Sequence, residues 1–480
     1  MLFNSIDFLI FFIAVTSFYF ALPHRFRWIL LLIASCYFYM FFKPEYILIL
    51  GFTIVIDYYA GIKIEEAKDF PTRRRYLILS LVANIGVLAI FKYYNFINDN
   101  ITGLCNLFGG TNHIPYLRIL LPIGLSFHTF QAMSYTIEVY RGNHKAERHF
   151  GIYSLYVMFY PQLVAGPIER PQNILYQFRE KMTWDYNRVM SGLQLMGWGL
   201  FKKIVVADRL SIVVDELYSG AHGYNTWWVI LGTFFFAYQI YCDFSGYTDI
   251  ALGSAKVMGF TLMKNFNFPF QAKSITDYWR RWHISLSTWF NDYLYTPIVI
   301  ARRDWGKWAV VFGLFITFFI SGLWHGAGWP FIVWGLLHGV ASSYEFLTKK
   351  KRKKLFGKLP LWLNNSLSQL FVFLFLQFVW IFFRAPTFDS AFSVIKGLFN
   401  YTNFFAQFAT FTGALKYSIV VGFIALAHFY VFEKMYRNVK VQQLFHQSAW
   451  FRFAAYGYLM LLFAFLGSFK NAQSFIYFQF

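Results

Sequence analysis

Two segments decide how this chain is read: Tyr278-Trp279-Arg280-Arg281-Trp282-His283-Ile284-Ser285-Leu286-Ser287 and Ser321-Gly322-Leu323-Trp324-His325-Gly326-Ala327-Gly328-Trp329. Each sets one histidine among tryptophans. His283 sits beside an arginine pair and a serine-rich segment. His325 lies between two strongly apolar runs, residues 308–320 and 331–337. Runs of this kind read as membrane-spanning helices. An ionisable side chain at membrane depth is costly, which marks it as a functional candidate.

The composition agrees with that reading. The 480 residues are 58% hydrophobic and only 14% charged, far less charged than a soluble domain of ordinary composition. Aromatic residues reach 23%, with 62 Phe and 33 Tyr, as suits a helical bundle with interfacial aromatic belts. The expectation is an all-α polytopic membrane protein. No polar stretch is long enough to fold independently, so a single integral domain over residues 1–480 is expected, with its catalytic core at about 227–347. The net charge of +20 comes from short basic clusters between apolar runs. At such positions lysine and arginine follow the positive-inside rule and attract anionic headgroups, and no nucleic-acid motif accompanies them. Three cysteines, Cys36, Cys105 and Cys242, build neither a disulfide framework nor a metal knuckle.

Working outward, residues 6–22 form a first span, expected to be retained rather than cleaved. Residues 28–42, 46–59 and 76–96 follow, with polar loops expected at 63–75 and 98–113. Residues 190–205 read as a span interrupted by Lys202-Lys203. Residues 227–241 lead into Asp243 and Asp249. These carboxylates are six residues apart and have no further ligand at metal spacing, so polar scaffolding is expected and no metal site. Residues 274–290 read as one amphipathic helix with Trp279, Trp282, Leu286, Trp289 and Phe290 along a stripe. Residues 308–323, 331–347, 367–383, 417–431 and 453–469 complete a bundle of roughly eleven or twelve spans. The basic run at 349–354 marks its end of the bundle as cytoplasmic. Gly166-Pro167-Ile168-Glu169-Arg170-Pro171 forces a non-helical turn. It reads either as an interfacial loop held by an ion pair or as part of a substrate entrance.

The chemistry is argued from the histidines. His24, His113, His144, His149, His222 and His446 lie in peripheral or loop segments, and His128 and His428 read as packed interior polar groups. His283, His325 and His338 remain. A neutral imidazole in an apolar surround is held in its basic form and can take a hydroxyl proton. His325, followed by Gly326, suits that task. There is no Gly-x-Ser-x-Gly elbow, Walker A loop or His-Glu-x-x-His motif. Ser285 and Ser287 lie near His283, but the sequence places no orienting carboxylate with them.

The two histidine segments resemble the signature of the membrane-bound O-acyltransferase family, and within it the bacterial alginate O-acetyltransferase branch. Leu121-Pro122-Ile123-Gly124-Leu125-Ser126-Phe127, the Gly166–Pro171 turn, the stretch from Gln239 to Asp249, Ile381-Phe382-Phe383-Arg384-Ala385 and the closing Ser474-Phe475-Ile476-Tyr477-Phe478-Gln479-Phe480 resemble that branch too. The resemblance implies re-entrant and interfacial helices around a central tunnel, in a bacterial inner membrane. It implies His325 as general base and His283 orienting the donor or steadying the oxyanion. Trp279, Arg280, Trp282, Trp324, His338 and Asp243 are then expected to line the tunnel or contact substrate. The implied donor is an acyl thioester such as acetyl-CoA, with no bound cofactor. The implied acceptor is a cell-surface glycan or an extracytoplasmic transferase. Peptidoglycan O-acetylation and teichoic acid D-alanylation are alternatives on the same fold. A transporter or flippase without chemistry is a more distant one, and the absence of an internal repeat speaks against it.

Overall fold

The computed structural model describes residues 1–117, 122–164, 166–401, 404–469 and 475–476, and among these every regular element is a helix. Six helical segments are long and apolar enough to cross a membrane: Tyr46–Glu66, Phe70–Leu107, Lys307–His325, Leu361–Arg384, Gly413–Arg437 and Ala449–Leu466. Ile6–Ala21 is apolar but shorter. Thr226–Met258, at 33 residues, is also long enough, yet it carries Asp243, Asp249 and Lys256 and is buried over most of its length. It forms the central post of the bundle. The chain is an all-α polytopic membrane protein.

Side-chain caps start the helices where the sequence supplies them. The Asp69 carboxylate accepts from the Thr72 N–H at 2.7 Å and starts Phe70–Leu88, with Pro71 in its first turn. The expected loop at 63–75 therefore shrinks to a few residues. The expected loop at 98–113 is likewise largely helical, as Tyr94–Leu107. Its polar side chains bond locally: Asn100 donates to the Phe96 carbonyl at 2.6 Å, and Asn112 to the Asn98 amide oxygen at 2.6 Å. The basic run at 349–354 does not end a helix; it is the exposed continuation of Trp329–Phe356.

Two close helix crossings use small residues, as membrane bundles commonly do. Tyr186–Leu200 crosses the central helix where Gly199 faces Gly246 and Gly192 faces Gly253; a Cβ on Gly199 would lie 2.5 Å from the Gly246 carbonyl oxygen. Lys307–His325 and Trp329–Phe356 form an antiparallel hairpin. A Cβ on Gly335 would lie 2.2 Å from the Phe318 carbonyl oxygen, and one on Gly322 would lie 2.4 Å from that of Phe331. Only glycine permits either contact.

Lys202 and Lys203 do not interrupt a span by facing water. They lie on a π-helical turn, Phe201–Ala207, and both are buried. Lys203 Nζ pairs with Asp243 at 2.6 Å and Asp208 at 2.8 Å, and Lys202 Nζ pairs with Asp249 at 2.6 Å. The Gly166–Pro171 segment is non-helical up to Pro171, as its prolines require. Arg170 turns away from Glu169, pairing with Asp292 at 3.5 Å and lying 4.8 Å over the Tyr293 ring. The buried Glu169 carboxylate instead accepts from the Met263 N–H at 2.5 Å.

Candidate active site

The expected amphipathic helix at 274–290 is broken in two. Ser274 caps Ile275–Trp279, accepting from the Asp277 N–H at 2.9 Å, and a second helix runs Ile284–Phe290. Between them His283 takes a left-handed backbone conformation, φ 45° and ψ 52°. That region is uncommon for a residue with a Cβ, though histidine enters it more readily than most, and such strain persists only where surroundings impose it. Here Asn265 imposes it. Its backbone carbonyl accepts from Ile284 N–H at 2.9 Å, and its side-chain oxygen accepts from Ser285 N–H at 3.2 Å and the Ser285 hydroxyl at 2.9 Å.

The same Asn265 oxygen lies 3.2 Å from His283 Nδ1. Because Ser285 N–H can only donate, the Asn265 atom facing it is the oxygen. His283 Nδ1 therefore carries the proton, and Nε2 holds the lone pair. Steadying an oxyanion would require an N–H at Nε2. A neutral ring in this tautomer can accept a hydrogen bond at that atom but cannot donate one.

His325 ends the helix Lys307–His325 and is 3% exposed. Trp334 meets its ring edge-on at 4.8 Å, Trp324 at 4.8 Å and Phe383 at 5.4 Å. Trp324 also packs 6.0 Å from His283. On the other side Trp334 packs 4.9 Å from His338, whose Nδ1 accepts from Trp279 Nε1 at 3.2 Å. The three histidines thus form one row with a tryptophan between each pair. All three are buried. The walls are aromatic: Phe127 and Phe244 flank His283, and Phe318 flanks His338. The three imidazoles thus stand in an apolar surround, which disfavours their charged form. Among the described residues, no three His, Cys, Asp or Glu side chains could hold a metal.

The remaining expected site residues divide. Trp279, Trp282 and Trp324 join this aromatic wall, Trp282 stacking on Tyr278 at 5.6 Å. Arg280 is exposed, and its neighbour Arg281 pairs with Asp277 at 2.8 Å. Asp243 is engaged by Lys203 and by the Ile476 N–H at 2.6 Å, one residue away from the site-facing Phe244. His128 lies 3.3 Å from the Leu163 carbonyl, and His428 bonds the Tyr458 hydroxyl at 2.6 Å. The His446 side chain, residues 118–121 and Tyr477 onward lie outside the described residues. Sequence reasoning missed Asn265, which carries no signal beyond being an amide in a Phe-rich segment. It also missed Lys92, an ammonium inside an otherwise apolar span.

Comparison with known proteins follows the same line. The profile of the membrane-bound O-acyltransferase family matches residues 143–383, which include His283, His325 and His338. A probable alginate O-acetylase, AlgI, of Pseudomonas aeruginosa is 35% identical over 435 residues, covering 89% of this chain and 81% of the relative. A peptidoglycan O-acetyltransferase of Helicobacter pylori is 35% identical over 395 residues, covering 77% and 73%. A teichoic acid D-alanyltransferase of Bacillus subtilis is 30% identical over 263 residues, covering 50% and 63%. With a family match across the histidine row and 35% identity to relatives over most of its length, the chain belongs to the membrane-bound O-acyltransferase family.

Proposed function

We propose that this membrane O-acyltransferase moves an acetyl group from acetyl-CoA to a hydroxyl destined for a cell-surface polysaccharide, with His325 as general base. The observation that carries the reading is the burial of His325 at a helix end, in an aromatic pocket it shares with His283 through Trp324. The acceptor hydroxyl gives its proton to His325 as its oxygen attacks the thioester carbonyl carbon. The C–S bond then breaks, and the proton passes to the departing sulfur. His283, with its lone pair at Nε2, orients the hydroxyl or the thiol by accepting a hydrogen bond. Tryptophan and phenylalanine rings exclude water, which would otherwise hydrolyse the thioester.

The two sides of the pocket suit two substrates. We take the basic, exposed 349–354 run as the cytoplasmic end of Trp329–Phe356, the side of an anionic thioester. At the opposite end, beyond the His325 turn, opens a cavity of about 390 Å³ lined by Phe96, Asn100, Gly328, Trp329 and Pro386. Its aromatic faces, with the Asp99 and Asn100 side chains between them, suit a sugar chain arriving from outside, either directly or on a partner transferase. An alginate-like exopolysaccharide is the first reading of the acceptor. Peptidoglycan is the second, because the peptidoglycan O-acetyltransferase is as similar, at 35% identity, as the alginate O-acetylase.

The test is the O-acetyl content of surface polysaccharide and of peptidoglycan in cells carrying wild type, His325→Ala or His283→Ala at matched membrane abundance. His325→Ala is expected to cut transfer by about a hundredfold or more, the scale of a lost general base, and His283→Ala by less. Unchanged acetate with His325→Ala would remove it from the chemistry. Acetate absent from both polymers in wild type, with ester-linked D-alanine present, would transfer the assignment to D-alanylation.

A further inference from the structure

The helical segment Phe70–Leu107 runs past the open end of the His325 helix. Its pitch changes at one π-helical turn, Ala89–Tyr93. Such a turn inserts an extra residue into the α-helical ladder and re-aims the side chains around it, and it is frequent at functional sites. This one ends in Lys92-Tyr93, and both side chains reach the same place. The Tyr93 hydroxyl donates to the Leu323 carbonyl at 2.7 Å. Lys92 Nζ donates to the Trp324 carbonyl at 2.6 Å and to the His325 carbonyl at 3.1 Å.

A helix leaves its last carbonyls without intrahelical donors. At this end the Gly326 N–H satisfies Gly322, at 3.3 Å, and Leu323, Trp324 and His325 follow. The π-turn supplies a donor to each of those three carbonyls. The ammonium also sits where the helix dipole is negative, which favours a cation. Among the described residues no carboxylate lies within ion-pair distance of Lys92. Its Nζ is committed to these backbone oxygens. Further along the same segment, Phe96 packs 6.0 Å from Trp329 and Asn100 Oδ1 accepts from Trp329 Nε1 at 2.9 Å. The segment grips the hairpin on both sides of its turn.

We propose that Lys92, backed by Tyr93, is a positioning residue of acyl transfer: it fixes the carbonyl end of the His325 helix and, with it, the setting of the imidazole. This rests on His325 being the base. Lys92 touches no reacting atom; it acts through the last turn of that helix. A π-turn, rather than a plain helix, lets two consecutive residues address three consecutive carbonyls.

The experiment uses membrane vesicles containing the full chain, with [14C]acetyl-CoA as probe, and reads kcat and KM per folded molecule, counted by fluorescence-detected gel filtration. Lys92→Met is expected to lower kcat at least about tenfold while leaving the KM for acetyl-CoA within about twofold, since a displacement near 1 Å of a catalytic group acts on turnover. Lys92→Arg keeps the cation and is expected to recover most of that loss; Tyr93→Phe is expected to cost a few-fold. Wild-type kcat per folded molecule in Lys92→Met overturns the proposal. So does a loss of kcat per folded molecule that Lys92→Arg fails to recover, which marks a structural contact. If Lys92→Met does not fold, Lys92→Gln and Tyr93→Phe decide: both at wild-type kcat per folded molecule overturns the proposal. His325→Ala in the same vesicles separates the two readings. If it keeps full transfer, the base assignment falls first. If it is inactive while Lys92→Met is fully active, only the positioning role falls.

Discussion

Asp243 and Phe244 are adjacent on the central helix Thr226–Met258, and they serve two buried polar clusters of opposite character. Asp243 joins Lys203, Asp208 and, through the next turn, the Lys202–Asp249 pair. Phe244 presents its ring 4.7 Å from His283 and so borders the histidine row. In the first cluster each charge meets an opposite charge at 2.6–2.8 Å. In the second there is no ion pair among the described residues; neutral imidazoles are spaced by tryptophans. Burying a full charge is tolerable only when it is paired, so the first arrangement suits fixing helices in place and leaves little freedom for reaction. Neutral imidazoles need fewer partners. A lone pair such as that of His283 Nε2 can face a substrate without a large desolvation cost. The difference separates buried polarity that pins helices together from the uncharged polarity to which the acyl transfer is assigned in our proposal.

The comparison can be broken most forcefully at Lys203. Lys203→Met leaves Asp208 and Asp243 buried with no cation between them, and stability is expected to fall by about 3–5 kcal/mol. The measurement is the thermal or denaturant midpoint in detergent or nanodiscs. A midpoint within error of wild type would show that this cluster does not hold the helices. Activity per folded molecule is expected to survive in whatever fraction folds, because Lys203 pairs with Asp208 and Asp243 rather than with a histidine.

A smaller loss tests whether the histidine row depends on packing rather than on charge. Gly335→Ala puts a methyl where the Phe318 carbonyl oxygen would be 2.2 Å away, and backbone rather than a flexible side chain has to yield. The hairpin should open slightly, at a cost of about 1–3 kcal/mol, and turnover should fall more than stability explains, because His325 and His338 lie on the two arms. Equal turnover per folded molecule would show that the site tolerates a looser hairpin.

These clusters were unequally legible beforehand. The histidine segments and the apolar runs around them announced a membrane fold and the stretch proposed to react, because a histidine in an apolar run is conspicuous. The glycines at 192, 199, 246 and 253 sit seven apart on each helix, a spacing visible in the sequence once the pairing is known. The pairing of Lys202 and Lys203 was not legible, since Asp243 and Asp249 lie on a helix some forty residues on, nothing in the spacing singles out the nearby Asp208, and two adjacent lysines look like a break toward water. The break at His283 was hidden for a similar reason. No glycine or proline announces it, and the amide that imposes it, Asn265, is 18 residues away. Helix ends are hidden where polar residues cap or extend helices, as at Asp69 and Asn98, because a polar stretch looks the same in a cap, a helix face or a loop.

The finest division between the two clusters is a single hydrogen bond. Trp279→Phe keeps an aromatic ring beside His338 and deletes only the Nε1–H that His338 Nδ1 accepts at 3.2 Å. In a neutral cluster that loss should cost about 1 kcal/mol, the scale of one hydrogen bond between uncharged groups, and well below the effect of Lys203→Met. Turnover should drop only a few-fold, as His338 regains rotational freedom beside Trp334 while His325 keeps its own setting. The measurement is again midpoint and kcat, taken together on the same preparation. A loss as large as that of Lys203→Met would mean that His338 carries charge after all, and the contrast between a paired ionic cluster and a neutral reactive one would have to be redrawn with His338 on the ionic side. A midpoint at wild type with kcat reduced to the level of His325→Ala would instead move His338 from the wall of the pocket into the proton transfer itself.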